Sequence, residues 1–298
     1  MLKRRAMTLA EQTERSSGMV TEAGMARGLA LELRPTDVVI SPYAKSGTTW
    51  LQQIVHGLRT RGDMDFDDIS RVVPWIEMST DLGIELDAEQ AANPRAFKSH
   101  LPADRVPQGG RYLLSVRDPG DALVSAFRFT EGWFLEPGSV AIEDFARERF
   151  LPERPGRDYW YHLLSWWPRR HDDDVLLMAY EEMRADLTAT VRRIAEFIGV
   201  PLDDELLGIV ERQSSLEFMT DHKDRFDDRL MRERSEEVAG LPSGSDSSKV
   251  RAGEIGASRV ELPVGVRAEL DAVWRARITS ELGFADYEAL RLALRQGR

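Results

Sequence analysis

An α/β fold in a single domain, with a central parallel sheet flanked by helices, is the class this sequence predicts, and three observations predict it. Short apolar runs rich in β-branched residues recur at 37–41, 96–98, 112–116 and 175–179, the pattern of strands buried on both faces. Stretches of helical period separate these runs, and strands joined through helices pair in parallel with right-handed crossovers. The length, 298 residues, suits one domain with insertions and gives enough chain to bury a sizeable core. A sheet of about five strands is expected.

Taken in order, residues 1–34 are polar and weakly patterned and read as a loose arm with one short helix, ahead of a domain spanning 35–298. Asp37-Val38-Val39-Ile40-Ser41 is the first strand and Pro42 to Gly47 a turn. From Thr48, the residues Trp50, Leu51, Ile54, Val55 and Leu58 share one helical face, and Gly62 stops the helix. Ala96-Phe97-Lys98 and Tyr112–Val116 are the next strands, and Asp118-Pro119 opens a helix through Leu123, Val124 and Phe127. After the strand Val175–Ala179, the residues Val191, Ile194, Ala195 and Ile198 line a helix closed by Gly199, with Pro201 beyond. Trp274, Ile278 and Leu282 line a final helix capped by Gly283. Two stretches break the alternation: 131–157 mixes Gly, Pro and aromatics, and 219–262 is dense in charge and then in Gly and Ser. Loops this long are lids, binding loops or disordered segments.

Composition narrows the function classes. Forty basic against 51 acidic residues leave a net charge of −11, which argues against general affinity for nucleic acid or anionic membranes. Any bound anion must meet a local basic cluster. The absence of cysteine excludes disulfides, thiolate metal sites and a Cys nucleophile, and fits a reducing compartment. MLKRRA is followed by no continuous apolar segment, and no run approaches the roughly 20 residues of a membrane helix. A cytoplasmic protein without stable membrane insertion is the expectation. Only Lys3, Lys45, Lys98, Lys223 and Lys249 are lysines, so each one merits inspection.

Ser41-Pro42-Tyr43-Ala44-Lys45-Ser46-Gly47-Thr48-Thr49-Trp50 follows a strand and opens a helix. Backbone N–H groups, the helix dipole, hydroxyls and a lysine there combine to hold a phosphate. It is not a G-x-x-x-x-G-K-[ST] loop, because the lysine precedes the glycine. K-S-G-T-T-W in this setting resembles the 5′-phosphosulfate loop of the cytosolic-type sulfotransferases, which use 3′-phosphoadenosine 5′-phosphosulfate (PAPS). Phe97-Lys98-Ser99-His100-Leu101-Pro102 is similar to the family's K-T-H-L-P. Arg117-Asp118-Pro119-Gly120-Asp121-Ala122-Leu123-Val124-Ser125 is similar to its R-[ND]-P-x-D-x-x-x-S. Tyr180-Glu181-Glu182-Met183 resembles its Y-E-[DE]-[ML], and Arg251-Ala252-Gly253-Glu254-Ile255-Gly256 its R-K-G-x-x-G. Five segments in the family's order, over about 37–258, are a specific signal.

The resemblance implies a P-loop-like sulfotransferase fold, PAPS as co-substrate, 3′-phosphoadenosine 5′-phosphate (PAP) as product, and no metal. Sulfonate transfer moves charge from an acceptor atom to a leaving phosphate, so it needs a base at one end and positive charge at the other. His100 is the candidate base; Lys45 and Lys98 are the candidate cations. Lys45, Ser46, Gly47, Thr48 and Thr49 would hold the 5′-phosphosulfate. Arg117 and Ser125, closed by Arg251 and Gly253 from the 219–262 segment, would hold the 3′-phosphate. Trp50, Tyr180 and Ser214 would hold the adenine, although Trp50 also fits the apolar face of its helix. His56, His162, His171 and His222 read as structural. The chain departs from the family at Leu216, where an aromatic is usual, at Ala252, where a lysine is usual, at Ala257-Ser258, which replaces D-W, and at 259–264, where the dimer signature is mostly missing.

For a small-molecule or lipid acceptor, Trp75, Phe129, Trp133 and Phe134 are the candidate pocket residues, with a core role equally open for Trp133 and Phe134. Tyr159-Trp160-Tyr161 and Trp166-Trp167 read as core. Two alternatives remain at this point: a P-loop kinase, which would need Mg²⁺, and a nucleotide-binding protein of the same fold without transferase activity. Neither the acceptor nor the oligomeric state is legible.

Overall fold

The structure is a computed structural model, and it describes residues 3–244 and 255–296. Four strands form one sheet: β1 (Val38–Ile40), β2 (Ala96–Lys98), β3 (Arg111–Val116) and β4 (Val175–Ala179). Their order is β2-β1-β3-β4 and every pairing is parallel, with Val38 opposite both Ala96 and Arg111, and Val116 opposite Ala179. The expected fifth strand is not found among the described residues; the elements after β4 are all helical.

The pleat sends alternate residues into two cores. Val39, Phe97, Tyr112, Leu114, Val116, Val175, Leu177 and Ala179 join one, and Val38, Ile40, Ala96, Leu113 and Met178 join the other. Both faces are therefore dry, which is why each strand reads as a continuous apolar run. Three helices leave the same edge of this sheet: Thr48–Thr60 after β1, Pro119–Trp133 after β3, and Tyr180–Ala185 after β4. Parallel pairing puts all three N-termini beyond the carboxyl ends of the strands, where open α/β sheets bind ligands.

Several expectations need correction. Residues 1–34 are no loose arm: Leu9–Ser16 and Glu22–Leu29 are helices, Ala6 and Leu9 are buried, and Ala6 exchanges backbone hydrogen bonds with Phe134 and Glu136. In 131–157, the helix begun at Pro119 runs on to Trp133, and Ile142–Phe145 opens another that continues through Phe150. In 219–262, Arg229–Val238 and Ala257–Glu261 are helical, whereas 245–254, with Lys249, Arg251, Ala252 and Gly253, lie outside the described residues. Gly283 does end a helical segment in a left-handed conformation, φ 79°, but it is not the last one, since Tyr287–Gln296 follows. Among the described residues no helix is long and apolar enough to cross a membrane.

Candidate active site

The loop between β1 and its helix is held from beneath. Ser115 Oγ donates to the Ser46 carbonyl at 2.5 Å, and Arg117 Nη1 donates to the Lys45 carbonyl at 3.1 Å. With the carbonyls drawn down, Lys45 sits at φ 68° and Gly47 at φ 103°. Only glycine adopts the second without strain, and a Cβ there would meet Tyr180 Cδ2 at 2.9 Å. No side chain caps the Thr48–Thr60 helix, which leaves its first N–H groups available to an anion. Ser46 Oγ and Thr48 Oγ1 are buried without a hydrogen-bond partner.

A cleft of about 260 Å³ opens above this loop, lined among others by Lys45, Gly47, Thr48, Thr49 and Trp50. Lys98 and His100 enter from β2, Arg117 and Ser125 from β3 and the helix after it, Tyr180 from the end of β4, and Ser214 from a helix C-terminus. Trp50 Nε1 donates to the Ser214 carbonyl at 2.8 Å and meets Tyr180 edge to face at 5.8 Å. The Arg117 guanidinium lies 4.5 Å from the Tyr180 ring centroid. Of the residues expected around a nucleotide, the cleft thus gathers every described one except Ser46, whose side chain lies beneath the loop.

His100 is fixed at two points. Its backbone N–H donates to Glu77 Oε1 at 2.7 Å, and its Nδ1 lies 2.8 Å from the Pro42 carbonyl. A carbonyl only accepts, so Nδ1 carries the hydrogen in the neutral ring and Nε2 keeps the lone pair. Trp75 bridges to Lys98 along the outer edge of β2 and meets the His100 ring edge to face at 5.2 Å. The Lys98 ammonium lies 3.7 Å from the Trp75 ring centroid and 4.0 Å from Asp228 Oδ1; that of Lys45 lies 4.2 Å from the Phe129 centroid. Both cations therefore rest on aromatic faces at the cleft wall.

Trp75 and Phe129 line the cleft, and Trp133 and Phe134 do not. One turn beyond Phe129 the helix has passed the cleft edge: Trp133 stacks on Phe134 at 4.8 Å against Ala239 and Leu241, and its Nε1 donates to Ser235 Oγ at 3.1 Å. The pair forms a buried floor. His162 donates through Nε2 to the Ser41 carbonyl at 3.0 Å, and burial holds both His162 and His56 down at about 4.

Sequence reasoning missed Glu77, Asp228 and Met231, and gave Asp121 no role. Asp121 accepts from the backbone N–H groups of Gly256 and Ser258 at 2.6 and 2.9 Å, so it ties the returning 255–258 segment beside the cleft. Its place in R-D-P-G-D was the only available signal. Burial pushes the Glu77 carboxyl up, while the His100 N–H bond opposes that rise.

A family model described as a sulfotransferase domain matches residues 35–283. Sulfotransferase 1B1 of Canis lupus familiaris is 32% identical over 202 residues, 63% of this chain and 68% of that one. The amine sulfotransferase of Oryctolagus cuniculus is 32% identical over 199 residues, 63% of this chain and 64% of its own length. Among solved structures, retinol dehydratase in complex with androsterone and inactive cofactor PAP superposes with a TM-score of 0.70 at 19% identity, over 96% of this chain and 98% of that one.

Proposed function

The chain belongs to the sulfotransferase family, and from that premise we propose that it moves a sulfonate group from PAPS to a hydroxyl or amine of a small-molecule or lipid acceptor, releasing PAP. The observation that carries this reading is the convergence of Lys45, Lys98, His100 and an uncapped helix N-terminus on one cleft. The cleft suits the nucleotide: the Thr48 hydroxyl, buried without a hydrogen-bond partner, lines it at the uncapped start of the helix.

When bound, PAPS supplies a sulfonate activated by a phosphate leaving group. Gly47 to Thr49 would offer N–H groups and Lys45 its charge to the 5′ end; Arg117 and Ser125, with Arg251 and Gly253, would hold the 3′-phosphate. Trp50, Tyr180 and the Ser214 segment would grip the adenine. His100 takes the acceptor's proton at Nε2, and its Nδ1–H bond to Pro42 keeps the ring oriented and supports the positive charge it acquires. Lys45 and Lys98 set positive charge where negative charge develops, in a site partly shielded from water. No step needs a metal. Trp75, Phe129 and Met231 give the acceptor side its apolar wall.

A thermal-shift titration tests the reading. A ligand at 100 times its dissociation constant adds about 2.7 kcal/mol to native stability, so PAP should raise the melting temperature clearly. ATP with Mg²⁺ is the second arm. Stabilisation by that pair and not by PAP would move the protein to the kinases, and a response to neither would leave a family member without its ligand.

A further inference from the structure

The helix Arg229–Val238 forms one wall of the cleft, since Asp228 at its N-terminus and Met231 both line it. It buries only Leu230 and Ser235, and ten residues of such polarity do not hold a helix by themselves. Among the described residues it is held instead by hydrogen bonds, and several of those, at the helix and just after it, reach the first 21 residues. Arg234 donates through Nε to the Met19 carbonyl at 2.7 Å, through Nη2 to Gly18 at 2.8 Å, and to the Asp81 carboxylate at 2.9 Å. Asp81 also accepts from the Thr21 N–H at 2.9 Å and hydroxyl at 3.0 Å, so one carboxylate ties both segments together. At the far end Arg15 donates to the carbonyls of Ala239 at 3.0 Å and Gly240 at 2.9 Å, and the Arg4 N–H reaches Gly240 at 3.3 Å. Trp133 clamps the middle through Ser235, and Asp68 Oδ2 receives the Leu230 N–H at 2.9 Å.

We propose that residues 3–21 latch the Arg229–Val238 helix over the acceptor side of the cleft, which makes Arg15 and Arg234 positioning residues for the acceptor. The assignment of that side rests on the transferase reading above. The latch sets how far Met231 and Asp228 stand from Trp75 and Lys98, and so the width of the entrance to His100. Fixed guanidinium-to-carbonyl bonds suit the task because they are directional and keep their charge at any working pH. Loosening them should open the entrance and leave the nucleotide loop, held by Ser115 and Arg117, as it was.

Access to His100 can be read without knowing the acceptor, by its rate of acylation with diethyl pyrocarbonate in peptide maps of the full chain. Losing the two carbonyl bonds of Arg15 in Arg15→Met should raise that rate about fivefold or more, and Arg234→Met should raise it further. Buried His162 is the internal control and should not change. Arg15→Lys, which can restore one bond, should fall between. An unchanged His100 rate in Arg15→Met would overturn the latch, and so would equal acceleration at His162, which would mean a loosened fold. If Arg234→Met fails to fold, the partly exposed Arg15 decides. A parallel PAP titration of the parent separates the two ideas: no binding would sink the transferase reading, while His100 access still judges the latch.

Discussion

In the proposed reaction, the competence of His100 as a base depends on the Pro42 carbonyl. Because Pro42 accepts from Nδ1, the nitrogen with the lone pair is settled before any acceptor arrives. Replacing His100 with Ala should lower kcat by about 10²–10⁴-fold. PAP affinity should stay within about twofold, because no nucleotide contact is assigned to the ring. Steady-state kinetics beside calorimetry would check both, and normal turnover in the variant would remove His100 from the mechanism. Gly47 is the second residue on which much rests. An alanine there would be strained at φ 103° and would press on the Tyr180 ring, which lies 2.9 Å from the position of its Cβ. Either the loop or the ring must move, so Gly47→Ala should weaken PAP about tenfold or more, equivalent to about 1.4 kcal/mol.

At the scale of elements, the strand tips and the helices that follow them make the site, and the helix Tyr159–Trp166 fixes one tip from behind. His162 on that helix donates to the Ser41 carbonyl at the end of β1, fully buried and neutral. The unfolded chain takes up its proton near 6.5 and the native one resists until about 4, so the unfolded state binds more protons between these values. Stability therefore falls as pH drops from 6.5 towards 4, by on the order of 3 kcal/mol from this group alone. His162→Gln, which can keep the Ser41 bond, should be less stable near pH 7 and should lose that part of the slope; His56 and the carboxyls raised by burial, Glu77, Asp118 and Glu181, act alike in both proteins and cancel. Denaturant midpoints from pH 4 to 7 would show it, and parallel curves for the two proteins would refute it. The strands and the site loop were legible because burial on both faces writes a continuous apolar run and because phosphate loops need fixed residue types at fixed spacing. Of the two helices at 9–16 and 22–29 one short helix was expected, and that at 229–238 was not, since guanidinium-to-carbonyl bonds such as Arg15 to Ala239 leave no periodic trace. Trp133 and Phe134 misled for a related reason: Gly and Pro nearby mark a loop, yet the helix continues one turn past the cleft and buries both.

For the molecule as a whole, charge of opposite sense is sorted between surface and cleft. Among the described residues the cleft is lined by Lys45, Lys98, Arg117, Arg128 and Arg184 against Asp121 and Asp228, inside a chain of net charge −11. Many outer arginines are committed to acids: Arg61 to Asp203 and Glu205, Arg147 to Glu269, Arg169 to Asp172 and Asp174, Arg229 to Asp67 and Glu233, and Arg291 to Glu182 and Glu288. Each exposed pair adds little stability. Together with the net charge of −11, they leave these arginines little free charge to offer a polyanion such as duplex DNA or an anionic bilayer. A small anion that fits the cleft meets positive charge at short range, where the net negative field is screened over about 8 Å at 0.15 M salt. PAP should therefore stabilise the protein at that ionic strength, under conditions where neither a DNA duplex nor phosphatidylserine vesicles retain it. Lowering the salt to about 0.01 M lengthens the screening to about 30 Å and should strengthen the exclusion of both polyanions. Tight duplex or vesicle binding in co-sedimentation or anisotropy measurements would show instead that the surface carries a basic stripe and that the sorting fails.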